Sequence, residues 1–240
     1  MTKIISSTST PKAKKGAFRS ERELQSELVS LELGLEGTYS ITYFRREVPV
    51  GACIPDIIYV RFSHPPDPHL WPRRWTFRHS FALWLLRKDL ALTVTNIADR
   101  FFESPDGPIN QTMLDLVRSG AVIENPGRTY MLSSEMRAIS AEVIAVEVKL
   151  SRWMRALEQA QDYQRFADRV FVAMDADRIP TRVNILDRFL ELGIGLCAVL
   201  PKKLDWLVKP KPKNGTRGRD REYLIASAAA TSRHSLWSTR

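Results

Sequence analysis

Residues 143–172, VIAVEVKLSRWMRALEQAQDYQRFADRVFV, read as strand, helix and strand in succession. The opening run is apolar, and at its end Glu147 and Lys149 stand two positions apart. Alternate strand residues share a face, so a carboxylate and an ammonium project side by side from an otherwise oily strand. The stretch that follows carries Trp153, Leu157, Ala160 and Phe166 at helical spacings, with Gln159 four residues before Tyr163 on one face. A second apolar strand, 170–174, closes the unit. A crossover of this length predicts two parallel strands covered on both sides. One Glu-x-Lys pair alone is an ordinary ion pair at a strand end. Its meaning depends on what the rest of the chain supplies.

The chain has 240 residues, 44% of them hydrophobic, enough for one large domain or two small ones. No apolar run is long enough to span a bilayer, and the basic, Ser/Thr-rich N-terminus lacks the apolar stretch of a secretory signal. Cys53 and Cys197 both sit inside apolar runs and read as small core residues in a reducing compartment, which excludes a cysteine-based zinc site. A cytoplasmic protein is the expectation. The charge is uneven. Residues 1–19 carry five Lys/Arg and no acid, and residues 207–240 carry eight Lys/Arg against Asp220 and Glu222. The 23 Lys/Arg and 25 Asp/Glu of residues 20–206 nearly cancel, so the net charge of +9 lives in the two ends. Both ends are expected to be disordered basic arms, a footprint suited to nucleic acid.

Ser20 and Glu23 form a capping-box pattern, and the helix it starts is expected to carry Leu24, Leu28, Leu31 and Leu35 as one stripe before Gly34 or Gly37 ends it. Glu21 borders that stripe on one side and Glu27 on the other. Two strand-like runs follow, 39–44 and 51–60, the second holding Pro55-Asp56 ahead of four apolar residues. A carboxylate in that setting wants a partner, and a metal ion or a lysine would supply one. His64, Asp67 and His69 lie in a proline-broken linker and read as a solvated turn rather than a metal site.

From Phe77 to Leu132 the chain changes character. Helical spacing runs through Phe81, Leu83, Trp84 and Leu86; a short helix spans 95–101 with a Thr cap, a third helix spans Ile109 to Ser119 and ends at Gly120, and strands at 121–124 and 128–132 flank the turn Asn125-Pro126-Gly127. This order resembles a winged helix-turn-helix. In that module the third helix enters the major groove, which implies base or phosphate contacts from Asn110, Gln111 and Thr112, with Arg118 and the wing residue Arg128 on the backbone. Residues 133–140 lead back into the strand carrying Glu147, so the module reads as an insertion. A helix over 184–192, a buried strand over 193–200 and an edge strand over 204–208 complete the chain.

With the insertion removed, the order is a helix with Glu21, a strand, a strand with Pro55-Asp56, a strand with Glu147-Val148-Lys149, a helix with Gln159 and Tyr163, then strand, helix, strand. This resembles the PD-(D/E)xK nuclease superfamily over residues 20–62 and 134–201. Gln159 and Tyr163 are similar to the QxxxY element of its RecB-like branch, and KKGAFRSEREL resembles the opening of archaeal Holliday-junction resolvases, which makes Glu21 the helix acid and Glu27 the fallback. The resemblance implies an α/β fold, a restriction-endonuclease-like mixed sheet flanked by helices with an inserted winged helix. The implied division is an arm at 1–19, core parts at 20–72 and 134–206, the insertion at 73–133 and a tail at 207–240.

The same resemblance implies metal-dependent phosphodiester hydrolysis. Asp56 and Glu147, with the Val148 carbonyl, would hold Mg²⁺, with Mn²⁺ substituting, because hard oxygen donors select such ions. Glu21 would assist through water or a second ion, Lys149 would orient or deprotonate the attacking water, and Gln159 and Tyr163 would position the phosphate or hold the lysine. The implied partners are double-stranded DNA, a second copy for double-strand cutting, and a larger DNA-processing assembly. Two other readings remain open: a non-catalytic DNA-binding regulator on a nuclease-like scaffold, and an accessory subunit inactive without its partner.

Overall fold

The structure is a computed structural model that describes residues 17–72, 74–179, 182–213, 218–230 and 238–239. In chain order it begins with α1 (Glu21–Ser30), β1 (Ile41–Arg46), β2 (Ile57–Phe62) and α2 (Phe77–Lys88). Then come β3 (Leu92–Thr93), α3 (Val94–Phe101), α4 (Pro108–Arg118), β4 (Val122–Asn125), β5 (Thr129–Leu132) and α5 (Ser134–Ala138). The remainder is β6 (Ala141–Lys149), α6 (Trp153–Tyr163), β7 (Arg169–Asp175), α7 (Val183–Leu192), β8 (Gly195–Leu200), β9 (Lys203–Val208), α8 (Arg219–Ala230) and β10 (Ser238–Thr239).

The period-two alternation of the strands sorts their apolar residues onto two faces of one mixed sheet. Its order is β10-β1-β2-β6-β7-β8-β9, six strands extended by the two-residue β10. β6, β7 and β8 run parallel and every other neighbouring pair is antiparallel. The crossover expected at 143–172 is therefore present, with α6 joining two parallel strands. Ile57, Tyr59, Ile144, Val146 and Val148 bury one face against Leu24 and Leu28 of α1. Ile58, Val60, Val143 and Ala145 bury the other against α6 and α8. β6 is buried along seven of its nine residues, as a strand covered on both sides must be. It is the centre of the molecule, and its two ends carry most of the buried charge.

Three expectations change. The first helix stops at Ser30 rather than at a glycine, with Leu31 already extended. Leu33 and Leu35 are buried while Leu31 is only partly so, because the leucines beyond Ser30 recur every second residue and suit extended chain better than helix. Second, the C-terminal tail is not a disordered arm where the structure describes it: α8 buries Glu222, Leu224, Ile225, Ala226, Ala228 and Ala229 against α2 and the sheet. Small side chains let its backbone approach closely, and Arg221 ties it to Asp168 at 2.9 Å. Third, most of the N-terminal arm lies outside the described residues, but Phe18 is buried and its N–H donates to Asp175 Oδ2 at 3.2 Å. The inserted segment, residues 74–133, packs directly on the sheet. Leu83, Leu85, Met113 and Leu132 share one continuous apolar cluster with β2 and β6, and α8 fills the space between.

Within that inserted segment α2 is buried on most sides, which suits a helix packed against α4, β5 and α8 at once. Thr93, not Thr95, caps α3 by accepting the Asn96 N–H. β3, β5 and β4 form a small antiparallel sheet. The turn between β4 and β5 passes through Gly127 at φ 82° and Arg128 at φ 55°, a left-handed pair that glycine accommodates and arginine tolerates at some cost. Among the described residues no helix is long and apolar enough to cross a membrane.

Candidate active site

The site lies where β6 ends and β2 begins. Alternation places Glu147 and Lys149 on the face of β6 covered by α6, and the antiparallel register of β2 with β6 brings Asp56 level with them. Asp56 sits just before β2, after Pro55 has kept the chain extended. Its Oδ2 accepts the Val148 N–H at 2.7 Å and its Oδ1 accepts from Gln25 Nε2 at 3.1 Å. Ser20 caps α1 by accepting the Glu23 N–H, while Glu23 reaches back to the Arg19 N–H rather than to Ser20. That cap starts α1 where its first residue, Glu21, faces the end of β6.

Lys149 is the hub. Its Nζ lies 2.5 Å from Glu147 Oε1, 3.6 Å from Glu21 Oε2 and 3.8 Å from Asp56 Oδ2, and it donates to the Val148 carbonyl at 3.2 Å. Three carboxylates thus surround one ammonium. Glu147 is almost fully buried, and its Oε2 accepts from the Tyr163 hydroxyl at 2.6 Å. Its Oε1 takes the Lys149 ammonium at 2.5 Å, so both of its oxygens face a donor.

The electrostatics follow from this imbalance. Burial, reinforced by the negative charge of Glu147, pushes the Asp56 carboxyl up to about 6, against the opposing pull of the Val148 N–H and Lys149. Burial works to lower Lys149, but contact with Glu147 and the charges of Asp56 and Glu21 outweigh it and raise the group. Burial and the adjacent Glu147 both raise the Tyr163 hydroxyl, which stays protonated and can only donate to that carboxylate.

Of the residues read from the sequence, Glu21, Asp56, Glu147, Val148, Lys149 and Tyr163 come together. Gln159 is half-buried on the same helix as Tyr163, with its Oε1 enclosed and lacking a hydrogen-bond partner; no hydrogen bond joins it to the lysine. Glu27 is excluded as the helix acid, because it points away and accepts the Lys202 N–H at 2.5 Å. Gln25 was missed. It lies one turn beyond Glu21, buried between Leu24 and Leu28, and an amide on an apolar stripe was the available signal.

The second group, on α4 and the β4–β5 turn, is mixed. Gln111, Arg118 and Arg128 are exposed and Asn110 is partly exposed. Gln111 donates to Asp115 at 2.7 Å, and Arg118 pairs with the same carboxylate at 3.6 Å. Thr112 is a correction: it is buried, and its hydroxyl returns to the Pro108 carbonyl at 3.1 Å, so it cannot reach a groove. Position 112 falls on the inward side of α4, one residue before buried Met113. In the linker, Asp67 caps a short helical turn by accepting the His69 N–H at 2.8 Å.

Among the described residues no group of three or more His, Cys, Asp or Glu side chains has an arrangement that could hold a metal ion. The donor chemistry at Lys149 nevertheless fits a hard divalent cation. Two carboxylates and a backbone carbonyl converge there, with Glu21 beside them and a single ammonium among the three acids.

No protein-family model matches the chain, and no curated protein matches it either. Among solved structures, SPO1766, a protein of unknown function from Silicibacter pomeroyi, aligns over 47% of this chain and 70% of its own, at 18% identity and a TM-score of 0.28. A likeness that slight says nothing of the fold or the chemistry.

Proposed function

We propose that this chain is a metal-dependent DNA nuclease of the PD-(D/E)xK type. The observation that carries the reading is the convergence of Glu21, Asp56 and Glu147 on Lys149 at one end of the central strand. Carboxylates so arranged repel one another, and one ammonium offsets only part of that repulsion. Asp56, Glu147 and the Val148 carbonyl would hold Mg²⁺ or Mn²⁺, which when bound supplies Lewis-acid stabilisation of the phosphate oxygens and an activated water. Lys149 then holds the proton balance of that water and offsets charge as it develops on the phosphate. Tyr163 fixes Glu147 through its hydroxyl, and Gln25 fixes Asp56, so both carboxylates are oriented before substrate arrives. Gln159, with an unpartnered oxygen, is free to take a substrate-side contact.

In this reading the sheet with α1, α6 and α7 is a restriction-endonuclease-like core. The segment from α2 to β5 is its winged helix, holding double-stranded DNA through Asn110, Gln111, Arg118 and Arg128. The test is cleavage of supercoiled plasmid by purified protein with Mg²⁺ or Mn²⁺, beside the Asp56→Ala variant and an EDTA control. Nicking or linearisation that needs both metal and Asp56 is the expected result. Salt-sensitive binding without any cleavage would defeat the reading.

One observation favours a second reading. Lys149 already contacts every carboxylate of the cluster, so the site is a self-contained ion network. A DNA-binding scaffold without catalysis would need no more than that. It predicts metal-independent binding that is indifferent to Asp56.

A further inference from the structure

A groove of about 740 Å³ opens between α2, the end of α3 and the start of α4, well away in sequence from the carboxylate cluster. Its wall is aromatic. Phe77 and Phe81 stack at 6.2 Å, Phe101 meets Phe81 edge-on at 4.5 Å, and Phe102 stands almost wholly exposed at the rim. Exposing phenylalanine this way costs solvation free energy that packing would recover, and a rim of rings beside arginines is a stacking platform.

The polar side of the groove narrows the occupant. Arg74, Arg78, Arg100 and Arg219 line it, but three of them have carboxylate neighbours: Arg78 pairs with Glu103, Arg100 with Asp89 at 3.3 Å, and Arg219 lies 3.9 Å from Asp220. Asp115 adds a negative charge to the lining. The net field is therefore mild, too weak for a phosphate clamp, and the rings must supply most of the affinity. A free phosphate or the outside of a duplex offers no exposed ring face; an unpaired base does.

His79 lines the groove but is buried, its Nδ1 accepting the Thr76 N–H at 3.1 Å and its enclosed Nε2 lying 3.8 Å from Asp115, so it shapes the wall rather than reading an occupant. Gln111, on the exposed side of α4, lines the same groove and can offer an amide to a base edge.

We propose that this groove, on the nuclease reading above, seats unpaired nucleotides of the DNA substrate, so that the preferred substrate is a duplex carrying a single-stranded tail, flap or branch. Bases stack on Phe77 and Phe102, and the rings rather than the arginines supply the affinity.

The test is fluorescence anisotropy of the full chain in EDTA, which removes cleavage from the readout, using a labelled blunt duplex and the same duplex with a single-stranded tail. The tailed duplex binds roughly tenfold more tightly, as one stacked base allows. Phe77→Ala and Phe102→Ala each remove most of that preference and leave blunt-duplex affinity within about twofold. Phe102 is exposed enough that its replacement leaves folding intact. No preference in the wild type, equal losses on both duplexes, or no loss in either variant overturns the proposal. So does displacement of the tail by a free mononucleotide at micromolar concentration, which makes the groove a small-ligand site. Tail preference without any metal-dependent cleavage defeats the nuclease reading and leaves this one standing.

Discussion

The two ends of β6 carry opposite solutions to the same problem. At its start, Glu142 is buried between Arg61 and Arg169; Arg61 Nε donates at 2.9 Å and Arg169 Nε at 2.7 Å. Beside it Asp168 takes both contacts of Arg221 Nε at 2.9 Å and the Val143 N–H at 2.8 Å. The guanidiniums finish on carbonyls of Leu35, Glu36, Pro210 and Ala141, and Arg61 lies 4.1 Å over the Tyr39 ring. Two acids thus meet three bases with their oxygens satisfied. At the far end three acids meet one base. Burial raises both Asp168 and Asp56, but for Asp168 the next influence is Arg221, which lowers it, and for Asp56 it is Glu147, which raises it further. The first arrangement pins the segment before β1, the one after β9, and α8 to the centre. The second leaves the acids in excess at the proposed site.

The sharpest way to separate the ends is through activity. Lys149→Ala lowers metal-dependent cleavage by roughly 10²–10⁴-fold while DNA affinity by anisotropy changes little. Retained cleavage in that variant removes Lys149 from the mechanism.

Stability should separate them in the other direction. Glu142→Ala strands Arg61 and Arg169 without their shared carboxylate and costs about 3–5 kcal/mol in guanidinium denaturation. If it costs under about 1 kcal/mol, the network is not what holds this end together.

A smaller effect comes from Asp56 and carries a definite sign. Its carboxyl titrates at about 6 in the folded chain against an ordinary value of 3.8, so between those values the folded state binds more protons. Its contribution is favourable below the lower value and is lost as pH rises through about 6, on the order of 2–3 kcal/mol. Asp56→Asn flattens that slope and raises the melting temperature at pH 7 while abolishing cleavage. Mg²⁺ should raise the melting temperature of the wild type and leave the variant unmoved. A wild-type profile that climbs between pH 4 and 6 contradicts the assignment.

The mildest change is Tyr163→Phe, which removes one buried hydrogen bond to Glu147. About 1 kcal/mol of stability is expected to go, with a larger fractional loss in kcat than in KM. A change in KM alone would make Tyr163 a binding residue rather than one that orients Glu147.

Local pattern made much of this legible. Apolar runs of strand length, helical spacing between them and the cap at Ser20 located most of the elements, although β2 begins six residues later than its apolar run and α3 is capped earlier than expected, at Thr93. Glu147 and Lys149 declared themselves because a two-residue period allows only one relative direction. What misled was composition read without partners. Leu31 and Leu35 continue the helical stripe of Leu24 and Leu28, while Leu31, Leu33 and Leu35 also fit an extended chain, and packing beside α1 decides for the second. The segment after Pro210 is polar and basic at first, so it reads as solvated; Arg221 and Glu222 become structural only through Asp168 and Arg87. Thr112 resembled its neighbours Asn110 and Gln111 until the rotation of α4 turned it inward.

The amino-acid sequence by itself determined the strand-helix-strand centre and the chemistry of the residues at its end, because neighbouring residues share backbone geometry and their directions follow from it. Only the tertiary structure decided that Glu21 rather than Glu27 joins Lys149, that Gln25 steadies Asp56, and that α8 belongs to the core. Each of those rests on contacts between residues far apart in the chain, and nothing local encodes which distant side chain will fill a given gap.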